Sequence, residues 1–403
     1  MVEKMKNRWL VAAGGVTMQL MLGSVYAWSV FKKPIMESLG WSGPEVGLAF
    51  TLMILFLGLS AAFGGRFVDK AGAKKIATLS AVLFGLGTLL GGLAIQTANL
   101  WLLYIGYGVI GGIGNGLGYI TPIAVLVRWF PDKKGMITGL AVMGFGLGAA
   151  IMGQLAPFMI SGLGIPNTFY ASGLFFLAVM LIAAQQLINP PKDYALAQTV
   201  NSNNKTEEVH LTFADAIKMP QFYILWTTLF INITAGIALI SNLSPLAQSQ
   251  VGLTAVTAGT LVFVTALFNG FGRLFWSMIS DKIGRKNTFL LIIATQVPLF
   301  LVLPMITNVW LFGLLCCWIF LCYGGGFGTM PSFAADTFGS KNIGGIYGPI
   351  LTAWGMAAIV GPMIMEYVKQ SSGNFSMALT LAGSFLVVGV LVVMLYRRPQ
   401  LEK

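Results

Sequence analysis

Long apolar runs broken by short polar connectors dominate the chain. About 20 consecutive apolar residues span a bilayer as a helix, and twelve segments reach that length: 9–31, 44–65, 75–96, 99–126, 136–160, 166–188, 221–247, 255–279, 288–307, 309–333, 343–367 and 374–396. The fold class predicted is therefore an all-α membrane protein of twelve transmembrane helices in two six-helix bundles. Between the sixth and seventh runs lies the polar stretch 189–220, which carries Asn-Pro-Pro, Asn-Ser-Asn-Asn-Lys-Thr-Glu-Glu and the single histidine, His210. It divides the chain into an N-terminal bundle at 1–188, a connecting loop at 189–220 and a C-terminal bundle at 221–403.

Composition agrees with this pattern. Of 403 residues, 56% are hydrophobic and 9% charged, against about 25% charged in a soluble domain. The net charge of +11 does not indicate a nucleic-acid surface, because the basic residues sit in short loops between apolar spans. All 24 Lys and Arg except Lys32, Lys33, Arg273 and Lys369 fall on one side of the predicted membrane. The positive-inside rule then places both termini in the cytoplasm of a multi-pass cell-membrane protein. The basic N-terminus ahead of Trp9–Phe31 is too long in its apolar part for a signal peptide. Cys316, Cys317 and Cys322 share one span, which favours packing over disulfide or metal chemistry. The sequon at Asn204 falls on the cytoplasmic side, where it has no use.

One charge breaks the apolar pattern. Arg273 lies eight residues before Asp281 in the eighth run, roughly 12 Å deeper along a helix that rises about 1.5 Å per residue. A cation at that depth costs at least about 2.5–3.5 kcal/mol to insert, and such residues usually face a cavity and carry function. Its planar fork donates two parallel hydrogen bonds to a carboxylate and stays charged when buried. No Asp or Glu lies at mid-span to pair with it. Enzyme chemistry has no support in the sequence: it carries no nucleophile–base pair, metal cluster or phosphate loop. The glycines of Gly108–Tyr119 suit close helix packing rather than a dinucleotide loop, since no strand precedes them.

The two halves repeat a loop. Gly65-Arg-Phe-Val-Asp69-Lys-Ala-Gly72-Ala-Lys-Lys follows the second run, and Ser277-Met-Ile-Ser-Asp281-Lys-Ile-Gly284-Arg285-Lys follows the eighth. Together with the 6+6 arrangement, these loops resemble the signature of the major facilitator superfamily. Tyr26-Ala-Trp-Ser-Val-Phe, Arg128-Trp-Phe-Pro-Asp-Lys-Lys-Gly135 and Asn269-Gly-Phe-Gly-Arg273 resemble, more narrowly, the oxalate/formate antiporter family and the related proton-linked monocarboxylate transporters.

That resemblance implies a carboxylate bound by the helix-eight arginine, Arg273, in a cavity lined by Tyr26, Tyr119, Phe145, Tyr323, Phe327 and Trp354. Asn115, Trp28 and Asn269 are further candidates for the substrate site. Asp69, Gly72, Asp281, Gly284 and Arg285 are expected to lock the cytoplasmic loops without touching substrate. Two departures narrow the reading. Oxalate exchangers place a lysine where Trp354 stands, and animal monocarboxylate carriers place an aspartate where Asn269 stands, together with a helix-one lysine missing here. One cation neutralises one carboxylate, while a dianion would leave net charge in low dielectric. The expected cargo is therefore a small monocarboxylate of the lactate or pyruvate type, carried by a functional monomer with no cofactor and the proton as coupling ion. Exchange of organic anions, oxalate for formate, is the alternative. A channel or a sensor fits less well, since no rings of charge and no soluble effector region are present.

Overall fold

The computed structural model describes residues 7–191, 211–372 and 375–399. Among them it contains helices and no strands. Twelve helices are long and apolar enough to cross a membrane: α1 Arg8–Ala27, α2 Glu45–Ala71, α3 Ala73–Gln96, α4 Leu100–Trp129, α5 Pro131–Leu163, α6 Ile165–Ala184, α7 Pro220–Ile240, α8 Thr257–Ile283, α9 Arg285–Met305, α10 Val309–Phe338, α11 Ile343–Gly361 and α12 Ser376–Met394. Each matches one apolar run. His210 and Asn204 lie outside the described residues. The three cysteines are buried and free.

Three helices are irregular where the sequence predicts unbroken spans. The first run is α-helical over Arg8–Gly23, tightens to a 3-10 turn over Ser24–Ala27 and resumes as a helix over Trp28–Leu39. A Cβ on Gly23 would fall on the backbone carbonyl of Phe145 in α5, so α1 presses on α5 where its geometry changes. In α4, Leu103–Gly111 winds as a π-helix, whose wider turns keep Gly108 against Ala49 and Leu52 of α2. The eleventh run breaks at Leu351, between Ile343–Ile350 and Thr352–Ser372. Pro349 lies just before the break and has no N–H to continue the ladder.

The first six and last six spans meet along two seams built from glycine. In one, α2 lies against α11: a Cβ on Gly65 would land on the carbonyl of Gly344, one on Gly348 on the carbonyl of Ala61, and one on Gly58 3.4 Å from Gly355. In the other, α5 lies against α8: Gly139 faces the Arg273 carbonyl at 2.6 Å and Gly146 faces Gly270 at 2.6 Å, measured from the same hypothetical atom. Lipid offers helices no hydrophobic reason to associate, so backbone approach through small residues does that work. Both seams are tight from the end that carries Asp69 and Asp281 up to the depth of Arg273. Further along the same faces, Gly153 of α5 and Gly259 of α8 have nothing within 4 Å. The two sets of spans are closed at their basic end, and the α5–α8 seam loosens beyond Arg273.

The connecting loop returns as Leu211–Lys218. Its Leu211 N–H donates to the Phe338 carbonyl (2.9 Å), and Asn342 Nδ2 donates to the Leu211 carbonyl (3.0 Å). Phe213 receives the Arg66 guanidinium over its ring at 4.3 Å.

Gly65→Leu tests the seam. Overpacking of about 1–3 kcal/mol shifts the closed form roughly 5- to 150-fold. The variant is expected to insert normally but to leave the basic end open, read as faster thiol labelling of a Gly345→Cys probe in an otherwise cysteine-free background.

Candidate anion site beneath an aromatic box

Arg273 is completely buried. Nη1 donates to the Val142 carbonyl of α5 (3.1 Å), and Nε points to Asn269 Oδ1 one turn back (3.5 Å). Nη2 has no hydrogen-bond partner. The ion pairs at the basic end do not include Arg273. The guanidinium carbon instead lies over the rings of Phe327 at 5.0 Å and Phe145 at 5.5 Å. A ring face attracts a cation electrostatically, but it supplies no counter-charge.

Aromatic side chains from both sets of spans close around this cation. Phe145 of α5 lies 5.3 Å from Tyr119 of α4, 5.4 Å from Tyr26 of α1 and 5.7 Å from Trp354 of α11, centroid to centroid. Trp354 also meets Tyr119 at 5.3 Å and Phe327 of α10 at 4.7 Å, and Phe327 meets Tyr323 at 5.4 Å. The i, i+4 spacing of Tyr323 and Phe327 puts both on one face. Three glycines between them let that face approach its neighbours: Gly324 lies against Asn269, and Gly325 against Trp276. The hydroxyls of Tyr26, Tyr119 and Tyr323 and Nε1 of Trp354 are buried without hydrogen-bond partners. Buried polar groups are rarely left so. Here five such donors, counting Arg273 Nη2, belong to the side chains of this one cluster.

Two sequence candidates stand elsewhere. Trp28 belongs to a separate aromatic group, stacked on Tyr107 at 4.7 Å and edge-on to Phe169 at 6.4 Å. That group borders a cavity of about 30 Å³ lined by Ser24, Phe31, Thr88, Tyr107, Phe169 and Ser172. Two residues apart on a helical turn point in nearly opposite directions, so Tyr26 and Trp28 cannot both face Arg273. Asn115 uses Nδ2 to hold the Leu22 carbonyl of α1 at 3.1 Å, a tie between α4 and α1, and its Oδ1 is buried without a partner. One member of the box was absent from the sequence candidates. Tyr347 is fully buried, with its hydroxyl unpartnered, and Tyr119 and Arg273 are both within its electrostatic reach. It stands on the short helix Ile343–Ile350, and the break at Leu351 separates it from Trp354, so no helical periodicity in the sequence ties the two together.

Below the site the basic end is latched by two related arrangements. Asp281 accepts from the backbone N–H of Gly135 (3.0 Å) and Met136 (2.8 Å) at the start of α5, and pairs with Arg285 at 2.7 Å. Arg285 also holds Asp336 at 2.7 Å. Asp69 accepts from Gly345 N–H (3.0 Å) at the start of α11 and pairs with Arg128. Arg128 in turn donates to the carbonyls of Lys341 (2.7 Å) and Ser340 (3.4 Å). Each aspartate therefore caps a helix from the other set of spans, where the free N–H groups and positive end of the dipole favour an anion. Gly72 and Gly284 turn the chain beside them at φ 91° and 86°, a region glycine enters without steric penalty.

Residues 13–362 match the sequence profile of the Major Facilitator Superfamily. The chain belongs to that superfamily, whose members are transporters and not enzymes. This superfamily member is 29% identical to the oxalate:formate antiporter of Oxalobacter formigenes over 385 residues, 94% of this chain and 90% of that protein. It is 24% identical over 400 residues to the apicoplast pyruvate carrier 1 of Toxoplasma gondii, covering 81% of this chain and 70% of that protein. Its fold is also that of the fucose:proton symporter FucP of E. coli, with a TM-score of 0.75 at 15% identity over 98% of this chain and 100% of that one.

Asp281→Asn and Asp69→Asn test the latches. Each keeps the shape and removes the charge, weakening hydrogen bonds of the charged class, about 1.5–3 kcal/mol each. Asp281→Asn is expected to raise thiol labelling of Met136→Cys roughly tenfold or more in purified protein, and Asp69→Asn that of Gly345→Cys.

Proposed function

We propose that this transporter is a secondary carrier of small monocarboxylates of the lactate or pyruvate type, working by alternating access with a proton as the coupling ion. The observation that carries the reading is the free Nη2 of a fully buried Arg273 with no acid beside it. A single carboxylate satisfies that charge with charge-assisted hydrogen bonds. Tyr26, Tyr119, Phe145, Tyr323, Phe327 and Trp354 form the walls, and Asn269 orients the guanidinium from the side. Asp69, Asp281 and Arg285, with the turns at Gly72 and Gly284, hold the basic end shut.

Three further points support it. Trp354 brings a neutral donor where a second cation would suit a dianion. A relative covering 81% of this chain is named a pyruvate carrier. Coupling to a proton makes inward movement of a monoanion electroneutral, avoiding about 2.3 kcal/mol of opposing work per 100 mV. The distribution of Lys and Arg supports a cytoplasmic location for the closed basic end and both termini. One chain supplies the whole site, as a functional monomer would.

Anion exchange is the second reading, and one observation favours it. No carboxylate that could carry a proton lies beside Arg273 among the described residues, and exchange needs none. A relative covering 94% of the chain is named an oxalate:formate antiporter.

Proteoliposomes loaded with or without a counter-anion, with or without a pH gradient, separate the two. Symport gives pyruvate and lactate uptake driven by the pH gradient alone, whereas exchange requires the preloaded anion. Arg273→Lys and Arg273→Gln are expected to reduce uptake to background in correctly folded protein, and wild-type uptake in either would refute the site. Trp354→Lys is expected to move preference toward oxalate; loss of all transport with no gain of dicarboxylate binding would count against the charge argument.

A further inference from the structure

The segment that leads into α7 reads Leu211-Thr-Phe-Ala-Asp-Ala-Ile-Lys218. Thr212 and Asp215 cap each other: Thr212 Oγ1 donates to the carboxylate at 2.5 Å and accepts from the Asp215 N–H at 3.4 Å. That box starts one short turn of helix, Phe213–Ala216, whose Ala216 is completely buried. Two hydrogen bonds fasten its leading edge to the corner between α10 and α11. The Leu211 N–H donates to the Phe338 carbonyl (2.9 Å), and the Leu211 carbonyl accepts from Asn342 Nδ2 (3.0 Å). Phe213 stands edge-on to Phe222 of α7 at 6.0 Å.

All of these partners belong to the last six spans. Arg66 does not. It stands on α2, and its guanidinium carbon lies over the Phe213 ring at 4.3 Å. Its stem passes the start of α11, where Cγ lies 3.4 Å from the place a Cβ on Gly345 would take. One ring therefore joins the two sets of spans beside the α2–α11 seam.

The first half docks its own leading segment without such a crossing. Arg8 donates to Asp132 at 3.0 Å and lies over Phe130 at 4.6 Å, at the corner between α4 and α5. Both partners belong to the same set of spans as Arg8. The repeated loops align Asp69 with Asp281, so Arg66 aligns with Met278, which has no charge to offer. The crossing from a leading segment to the other half is thus not a by-product of the repeat.

We propose that Leu211–Lys218 is a strap, anchored to the last six spans, that holds α2 through the contact of Phe213 with Arg66 while the basic end is closed. Opening that end moves α2 away from α11. The strap stays with Phe338 and Asn342, and Arg66 has to leave the ring. A cation over a ring face at an exposed position contributes modestly, so the strap biases the gate and does not lock it. It also makes the connecting loop part of the gate, since whatever lifts Leu211 off its corner releases α2 as well. None of this depends on Arg273 or on the identity of the cargo.

The test is thiol labelling of purified full-length protein that carries a Met136→Cys probe in an otherwise cysteine-free background. Met136 lies by the α5–α8 seam, away from the strap, so it reports closure of the whole basic end. Phe213→Leu keeps apolar bulk and removes the ring, and Arg66→Gln removes the charge. Each is expected to raise the labelling rate about two- to fivefold. The double variant is expected to do no more than either alone, because both remove the same contact. Phe213→Trp offers the cation a better ring face and is expected to label at or below the wild-type rate.

Unchanged labelling in both single variants overturns the inference. So does a rise in one of them but not the other, which would assign that side chain to packing within its own half. Additive effects in the double variant overturn it too, since the two side chains would then act separately. Arg66 is exposed, so if Phe213→Leu does not fold, Arg66→Gln and Phe213→Trp decide the question: a rise in the first with none in the second supports the strap, and any other pair of results refutes it.

Discussion

An uncompensated charge at the centre of the protein organises everything around it. Removing a cation from water is expensive, and it is usually repaid by a counter-ion. Arg273 instead receives one carbonyl, a long contact to Asn269 and two ring faces. The carbonyl reaches it only because α5 and α8 touch backbone to backbone through Gly139, Gly146 and Gly270. A larger residue at Gly139 or Gly146 would push the α5 carbonyls and the guanidinium apart. The aromatic rings keep bulk water from filling the gap, so the charge is partly stabilised and remains available to an anion. Binding and helix packing are thus two aspects of one arrangement.

The basic end depends on the same helices. Asp281 terminates the helix that carries Arg273, and it caps α5, whose Val142 holds that arginine. Asp69 caps α11, which carries Tyr347 and Trp354. A shift of α8 against α5, or of α2 against α11, therefore alters the site and the latch together. Seam, latch and cation lie within about three helical turns of one another along α8, which gives ligand binding a short mechanical route to the gate.

Much of this is legible along the chain, for identifiable reasons. Lipid forces every backbone group into a helix, so apolar runs mark the spans without reference to packing. Depth along the helix exposes Arg273, because an ionised group so far from either end has no ordinary explanation. Residues whose direction depends on a neighbour escape such reasoning. The two-residue spacing of Tyr26 and Trp28 sends them opposite ways, and the turn at Ser24–Ala27, pressed on α5 at Gly23, decides which of them faces the cation. Tyr347 lies within the eleventh apolar run, but the break at Leu351 removes the helical register that would have tied it to Trp354. Asn115 gives an amide N–H to the Leu22 carbonyl while its Oδ1 stays buried without a partner, a division that the sequence does not reveal. The family resemblance correctly pointed to transport and to an anionic theme among relatives.

The bare-backbone seams have a dynamic consequence. Interdigitated side chains must change rotamer before two surfaces can part, which gives a packed interface a discrete barrier. Where α2 meets α11 and α5 meets α8, much of the contact is peptide against peptide, with no knobs to withdraw and no holes to refill. Such surfaces can rock about a line of contact with little internal rearrangement. The energetic decision between the two orientations then falls to the few polar groups at the ends and the centre, where a single small ion is enough to tilt it.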